Sequence, residues 1–323
     1  MKAIFLENGT VSVRDMPMPE RPPHHALLRM RLAGICDTDL QLQRGYYGFE
    51  GVPGHEFVAE VVEAPDEALI GARVVGEINL GCGACDWCRR GMQRHCPNRT
   101  VLGIVNHPGA HAEYLTLPVE NLHRVPDSMP DDVAVFTEPV AAACEILEQV
   151  HVAPTWNIAI VGDGKLGLLI AQVLRLTGAN VHLLGHHAHK LALLEGTGVQ
   201  THLVHEGEDL PLPRHWADMV VEVTGNPSGF ATARALVRPR GVFVLKSTFK
   251  ERLDLWLADI VVDEITIVGS RCGPFDTALR LLGEGLVNVR PLIEATYPLD
   301  AGVRAYEHAA TRGARKILLR PSG

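Results

Sequence analysis

Residues 157–176 read NIAIVGDGKLGLLIAQVLRL. A short apolar run, Asn157-Ile158-Ala159-Ile160-Val161, meets Gly162-Asp163-Gly164-Lys165-Leu166-Gly167, and the last glycine opens a segment of helical character. By itself G-x-G-x-x-G is a weak pattern, whose plain alternative is a glycine-rich turn that binds nothing. Between a strand and a helix it marks a dinucleotide-binding turn, which is the setting here. Gly162 makes the turn, Gly164 lets a pyrophosphate approach the backbone, and Gly167 lets the helix pack closely on the strand. Together with Lys165 and Leu166 they form the expected cofactor loop, with the phosphates at the helix N-terminus.

Outward from this loop the texture stays the same. NVHLLG, THLV, MVVEVTG, GVFVLKS and ITIVGS are short apolar runs, separated by segments such as HKLALLEGTG and FATARALV that read as helices. Six candidate strands alternating with helices predict a doubly wound parallel sheet of the Rossmann type. Upstream, Asn8-Gly9 is a hairpin signal between KAIFL and VSV. ALLRMRLAG alternates, with Ala26, Leu28, Met30 and Leu32 on one face and Arg29 and Arg31 on the other. The expected class is therefore α/β. A β-rich, barrel-like domain is built from residues 1–141 and 272–323, and a dinucleotide-binding domain from residues 142–271 is inserted into it.

The second strand of that sheet bears on the choice of cofactor. An NAD site carries Asp or Glu at the end of this strand, to hold the ribose 2′-hydroxyl. Here NVHLL runs into Gly185-His186-His187-Ala188-His189-Lys190, with no carboxylate from Asn180 to Lys190. Gly185 leaves room for a 2′-phosphate that His186, His187 or Lys190 could contact, which leans toward NADP over NAD. The alternative is a solvated histidine loop, since Arg, the better phosphate partner, is absent. Glu222 and Thr224-Gly225, at the end of MVVEV, are expected to line the cofactor site or simply to pack there.

The chain has 323 residues, 46% of them apolar, and a net charge of −8, from 30 basic and 38 acidic residues without a long run of either sign. Neither a nucleic-acid surface nor a membrane partner is suggested. MKAIFLENGT does not read as a secretory signal, so the expected location is cytoplasmic. Four of the seven cysteines crowd into GCGACDWCRRGMQRHC, where Cys82, Cys85, Cys88 and Cys96 are spaced C-x2-C-x2-C-x7-C. In a reducing compartment such a cluster reads as a metal site, and four thiolates on one loop make a closed tetrahedral cage that suits zinc. An iron–sulfur loop begins the same way but places three residues before its last cysteine, and four free thiols are the bland alternative. A closed sulfur cage offers no open position to a substrate, so this loop is expected to be a structural staple.

GICDTDL, PGHE, the four-cysteine loop, HAEY, the Glu138-Pro139 pair and the later G-x-G-x-x-G stand in one order along the chain. In this the sequence resembles the zinc-dependent medium-chain alcohol dehydrogenases over nearly its whole length. TEPVAAA and GSRCGP bring it closer to the sorbitol and threonine dehydrogenase branch. The resemblance implies a GroES-like catalytic domain, two Zn2+ per chain (one catalytic, one structural), and hydride transfer between a small-molecule alcohol or carbonyl substrate and NADP or NAD. It also implies a homo-oligomer, a dimer or a tetramer. Cys36 and His55 match two ligands of the catalytic zinc, Thr38 the hydroxyl that takes the substrate proton, Asp39 an acid behind the metal, and Glu56 the acid beside it. Glu138 matches the third ligand of the sorbitol branch, with Cys144 as its competitor. Where some members carry a relay histidine this chain has Gln41, which cannot titrate. A non-enzymatic NADP-binding or sensing protein that retained the fold is the competing reading, and Tyr46-Tyr47-Gly48-Phe49 either lines the substrate pocket or packs on the surface.

Overall fold

The computed structural model describes residues 1–205, 207–247 and 256–322. The chain separates into two compact units. One comprises Met1–Glu138, Ala278–Glu284 and Val289–Gly323, and the other Pro139–Thr277 and Gly285–Asn288.

The first unit begins with the hairpin of β1 (Lys2–Glu7) and β2 (Thr10–Asp15). Asn8 and Gly9 both take positive φ, 48° and 74°, as the tight two-residue turn requires. Strand β3 (His25–Gly34) is followed by the short helix α1 (Asp37–Gln43), then β4 (Glu56–Glu63), β5 (Arg73–Gly76), β6 (Tyr114–Pro118) and β7 (Leu122–Arg124). Further on come helix α2 (Thr137–Gln149), which carries the chain into the second unit, and six strands and helices described below.

The second unit holds β8 (Asn157–Val161), α3 (Lys165–Arg175), β9 (Asn180–Gly185), β10 (Gln200–Leu203), β11 (Ala217–Glu222), α4 (Pro227–Leu236), β12 (Val237–Leu245) and β13 (Thr266–Gly269). All six strands run parallel, in the spatial order β10-β9-β8-β11-β12-β13. Numbered within this sheet that is 3-2-1-4-5-6, the doubly wound arrangement expected from the alternating apolar runs. Val161 pairs with Leu184 on one side and Glu222 on the other. Hence Gly162, Gly185 and Val223 emerge together at the carboxyl edge, where the strand order reverses. Helix α3 lies close on the sheet because Gly167 lacks a side chain: a Cβ there would stand 2.1 Å from the Gly162 carbonyl oxygen.

Beyond helix α5 (Phe275–Gly283) the chain adds β14 (Ile293–Pro298), α6 (Gly302–Ala309) and β15 (Lys316–Arg320) to the first unit. Its main sheet has the order β7-β5-β4-β3-β15-β14, with β6 also paired to β3. Two register facts position the chemistry. Gly34 on β3 stands opposite Glu56 on β4 and opposite Leu318 on β15. The closing strand KILLR thus brings Lys316 alongside residues some 260 positions earlier.

Candidate metal centres and cofactor loop

The loop that carries Cys36 is shaped by Asp39. Cys36 caps helix α1 in extended conformation, and its backbone N–H donates to Asp39 Oδ2 at 2.8 Å. The other oxygen, Oδ1, accepts from the Gly54 N–H at 3.1 Å and lies 3.4 Å from His55 Nδ1. Asp39, fully buried, thereby ties the Cys36 turn to the Pro53-Gly54-His55 turn. Burial alone would raise its carboxyl, but His55 and the surrounding donors outweigh it and hold the group at about 2. Burial works equally against a charged His55, and the fields of Asp39 and Cys36 reverse that, lifting it well above the ordinary histidine value.

Cys36, His55 and Glu56 offer ligand atoms that all lie within 4.8 Å of one another, two of the three residues being buried. Thr38 stands beside them, with its Oγ1 3.8 Å from Cys36 Sγ. Glu56 is engaged from behind by a charge-assisted hydrogen bond donated by Lys316 Nζ, both side chains being 2% exposed. Gly34 makes room for this pair, since a Cβ there would stand 2.4 Å from Glu56 Oε2. Although burial opposes its charge, Glu56 keeps Lys316 above the usual lysine value, helped by Cys36 and Glu138. Glu138 opens helix α2, acts on Lys316 through its charge, and is not a member of the three-residue cluster. Cys144 lies inside α2, 1% exposed, with burial pushing its thiol up to about 11, the behaviour of a core thiol.

His111 of the HAEY motif has a clear structural role. Its Nε2 can only donate to the Gly34 carbonyl at 3.2 Å, so its Nδ1 accepts from the Tyr306 hydroxyl at 2.9 Å. Burial lowers its basicity, which keeps the ring neutral. Its partner is 195 positions away, and no local spacing announced it.

The four clustered cysteines come together as their spacing predicts. Cys85 Sγ lies 3.5 Å from Cys88 Sγ and 3.7 Å from Cys96 Sγ, and none of the seven cysteines is in a disulfide. A tetrahedron with metal–sulfur bonds of about 2.3 Å has edges of roughly 3.8 Å, so the cage fits a tetrahedral ion. Backbone donors from Ala84 and Cys85 pull the Cys82 thiol down to about 6, which favours the thiolate a metal needs, whereas burial pushes Cys88 up to about 12.

At the cofactor loop, Gly162 takes φ 124°, a conformation reserved for glycine. Gly164 begins α3 without a side-chain cap, and the position of its missing Cβ has no described atom within 4 Å. A helix N-terminus opened by a glycine without a side chain suits the approach of a phosphate. Glu222 Oε1 accepts from the Thr224 N–H at 2.6 Å and hydroxyl at 2.5 Å, which fixes the turn after β11. Its second oxygen is buried without a hydrogen bond among the described residues. The space beside Gly185, expected to be vacant, holds the Asp163 side chain. That aspartate also accepts from the His187 backbone N–H at 2.7 Å.

A parallel dinucleotide-type sheet, a four-thiol cage and a Cys-His-carboxylate cluster together define a zinc-binding dehydrogenase. Comparison with known proteins agrees. Residues 22–127 match the alcohol dehydrogenase GroES-like domain, and residues 166–284 match the zinc-binding dehydrogenase domain. The L-threonine 3-dehydrogenase of Streptomyces avermitilis is 31% identical over 99% of both chains. The D-arabitol-phosphate dehydrogenase of Enterococcus avium is 29% identical over 94% of this chain and 92% of that one. Among solved structures, a zinc-binding dehydrogenase of Sinorhizobium meliloti bound to NADP superposes with a TM-score of 0.89 at 28% identity, over 99% of each chain. The chain belongs to the zinc-dependent medium-chain dehydrogenase family, and it is a zinc-dependent oxidoreductase of the alcohol dehydrogenase type. Among the described residues, no helix is long and apolar enough to cross a membrane.

Proposed function

We propose that this enzyme interconverts a small alcohol, of the polyol kind, and its carbonyl counterpart with a nicotinamide dinucleotide, at a zinc held by Cys36 and His55. The observation that carries the reading is the convergence of a thiol, an imidazole and a carboxylate within 4.8 Å, on turns that Asp39 ties together. Relatives named D-arabitol-phosphate dehydrogenase and sorbitol dehydrogenase support the substrate class. Glu56 is committed to Lys316, which leaves Glu138 as the third protein ligand proposed for this zinc. A second zinc, in the cage of Cys82, Cys85, Cys88 and Cys96, makes two per chain. The working division is a catalytic domain from residues 1–141 and 272–323 and a cofactor domain from residues 142–271.

Zinc bound at the first site supplies Lewis-acid stabilisation of the substrate oxygen. Asp39 orients the two turns that carry Cys36 and His55. Thr38 takes the substrate proton at Oγ1 while releasing its own into a hydrogen-bond chain, and since Gln41 cannot pass it on by titrating, it leaves by water or another route. Gly162, Gly164, Lys165, Leu166 and Gly167 hold the pyrophosphate, and Thr224 borders the cofactor. NADP is the preferred form, recognised at its 2′-phosphate by His186, His187 and Lys190, the space beside Gly185 being taken by Asp163. A dimer or tetramer is supported by the exposed apolar residues Trp256, Val261 and Val262.

Metal analysis joined to mutagenesis tests the reading. Cys36→Ala and His55→Ala should each lose one zinc of two and all measurable turnover, while nucleotide binding stays within twofold. Turnover retained in both variants would refute it.

A further inference from the structure

The end of β9 lacks an acid of its own, yet a carboxylate stands there. A Cβ on Gly185 would come within 2.4 Å of Asp163 Cβ and 2.5 Å of its Oδ2. Asp163, 6% exposed, therefore reaches across from the glycine turn after β8 to the end of the neighbouring strand. It holds one residue at two points. Oδ2 accepts from the His187 backbone N–H at 2.7 Å, and Nδ1 of the same ring lies 3.0 Å from Oδ2 and 3.1 Å from Oδ1. The adjacent His186 is anchored in the same sense, its Nδ1 donating to the Val204 carbonyl at 2.7 Å.

These contacts fix the tautomers. A carbonyl or carboxylate oxygen only accepts, so the hydrogen of each neutral ring sits on Nδ1. Nε2 is then the remaining nitrogen of both rings, and among the described residues no hydrogen bond engages it. His187 is one-quarter exposed. The carboxylate at Nδ1 thus fixes the ring, and Nε2 is the atom left to face a ligand. One proton shared between Nε2 and an oxygen of a phosphate monoester closes a charge-assisted hydrogen bond there.

We propose that Asp163 is a positioning residue for recognition of the ribose 2′-phosphate. Through the His187 backbone N–H and Nδ1 it fixes both the loop and the ring, so that Nε2 meets the phosphate beside His186. This rests on the NADP preference proposed above. It also explains why an aspartate occupies the second position of the glycine loop, where the pyrophosphate itself requires no side chain.

The test uses the zinc-loaded full chain and two fragments that isolate the adenosine end, 2′,5′-ADP and 5′-AMP, titrated by calorimetry. The wild-type protein should prefer 2′,5′-ADP. Asp163→Asn and His187→Gln should each lose about tenfold in affinity for 2′,5′-ADP, the scale of one charge-assisted hydrogen bond, with 5′-AMP changed less than twofold. The double variant should lose no more than the worse single one, because both act through His187. If wild type binds the two fragments equally, the NADP reading itself fails. If wild type discriminates but Asp163→Asn keeps the same ratio, the role given to Asp163 is overturned while that reading stands. Equal losses for both fragments, with a lowered melting temperature, would make Asp163 merely structural and overturn the inference. Tighter 2′,5′-ADP with weaker 5′-AMP would also overturn it, by showing that Asp163 serves the ribose hydroxyl directly.

Discussion

Replacing Lys316 by methionine removes one charge of a pair that water scarcely reaches. Lys316 and Glu56 are each 2% exposed, and Gly34 leaves no spare volume beside Glu56 Oε2 for relaxation. Lys316 also lies over the Phe136 ring, with Nζ 5.8 Å from the centroid, so the methionine chain has an apolar neighbour and little packing is lost. What remains is a buried carboxylate without its counter-ion. Breaking such a pair by deleting one member costs about 3–5 kcal/mol, far more than the pair contributes against an apolar replacement of both. For a unit of this size, at roughly 2–4 °C per kcal/mol, the melting temperature should fall by about 10 °C. Glu56→Gln in the same background removes the orphaned charge and should restore at least half of the loss. The four proteins of this cycle can be compared by chemical denaturation with zinc present throughout. A loss below about 1 kcal/mol for Lys316→Met, or a double variant whose loss is the sum of the singles, would refute the claim that Lys316 neutralises Glu56.

Other expectations follow from the same geometry. Cys82→Ala should release one zinc of two and lower thermal stability by several degrees, because the cage clamps a loop whose folding is coupled to metal binding; inductively coupled plasma analysis and a melting curve read both, and an unchanged zinc content would remove the cage assignment. Gly34→Ala forces a Cβ to 2.4 Å from Glu56 Oε2, and should cost more than alanine in place of the open Gly269; equal melting temperatures for the two would count against the packing described. His182 and His202 share a hydrogen bond of 2.8 Å, and burial holds both below the ordinary histidine value of 6.5. The unfolded chain then binds more protons than the folded one just below pH 6.5, so stability is full above that value and declines as pH falls. His202→Gln should flatten the decline in melting temperature between pH 7 and 5.5, and an unaltered slope would assign it to other groups.

Much of this molecule was readable along the chain because its signals are local. Alternation in ALLRMRLAG, the apolar runs of the parallel strands and Asn8-Gly9 each report a backbone periodicity or turn within ten residues, and the observed strands follow them. The four cysteines lie within 15 residues and converge because their loop is too short to scatter them. Cys36 and His55 were legible through the resemblance to a family rather than through any spacing, since they belong to different turns.

Contacts that join distant segments were not legible. Nothing in KILLR marks Lys316 as a partner of a distant acid, yet β15 inserts beside β3 and carries it to Glu56. Tyr306, on α6, donates to His111 from 195 positions away. Asp163 reads as the variable second position of a glycine motif, and the absence of an acid between Asn180 and Lys190 argued for empty space at Gly185. The side chain that fills that space comes from a neighbouring strand end, brought there by the parallel register of Val161 with Leu184. Periodicity describes which face of an element is apolar; which atoms meet across two elements depends on their register, and register is set only when the whole sheet assembles.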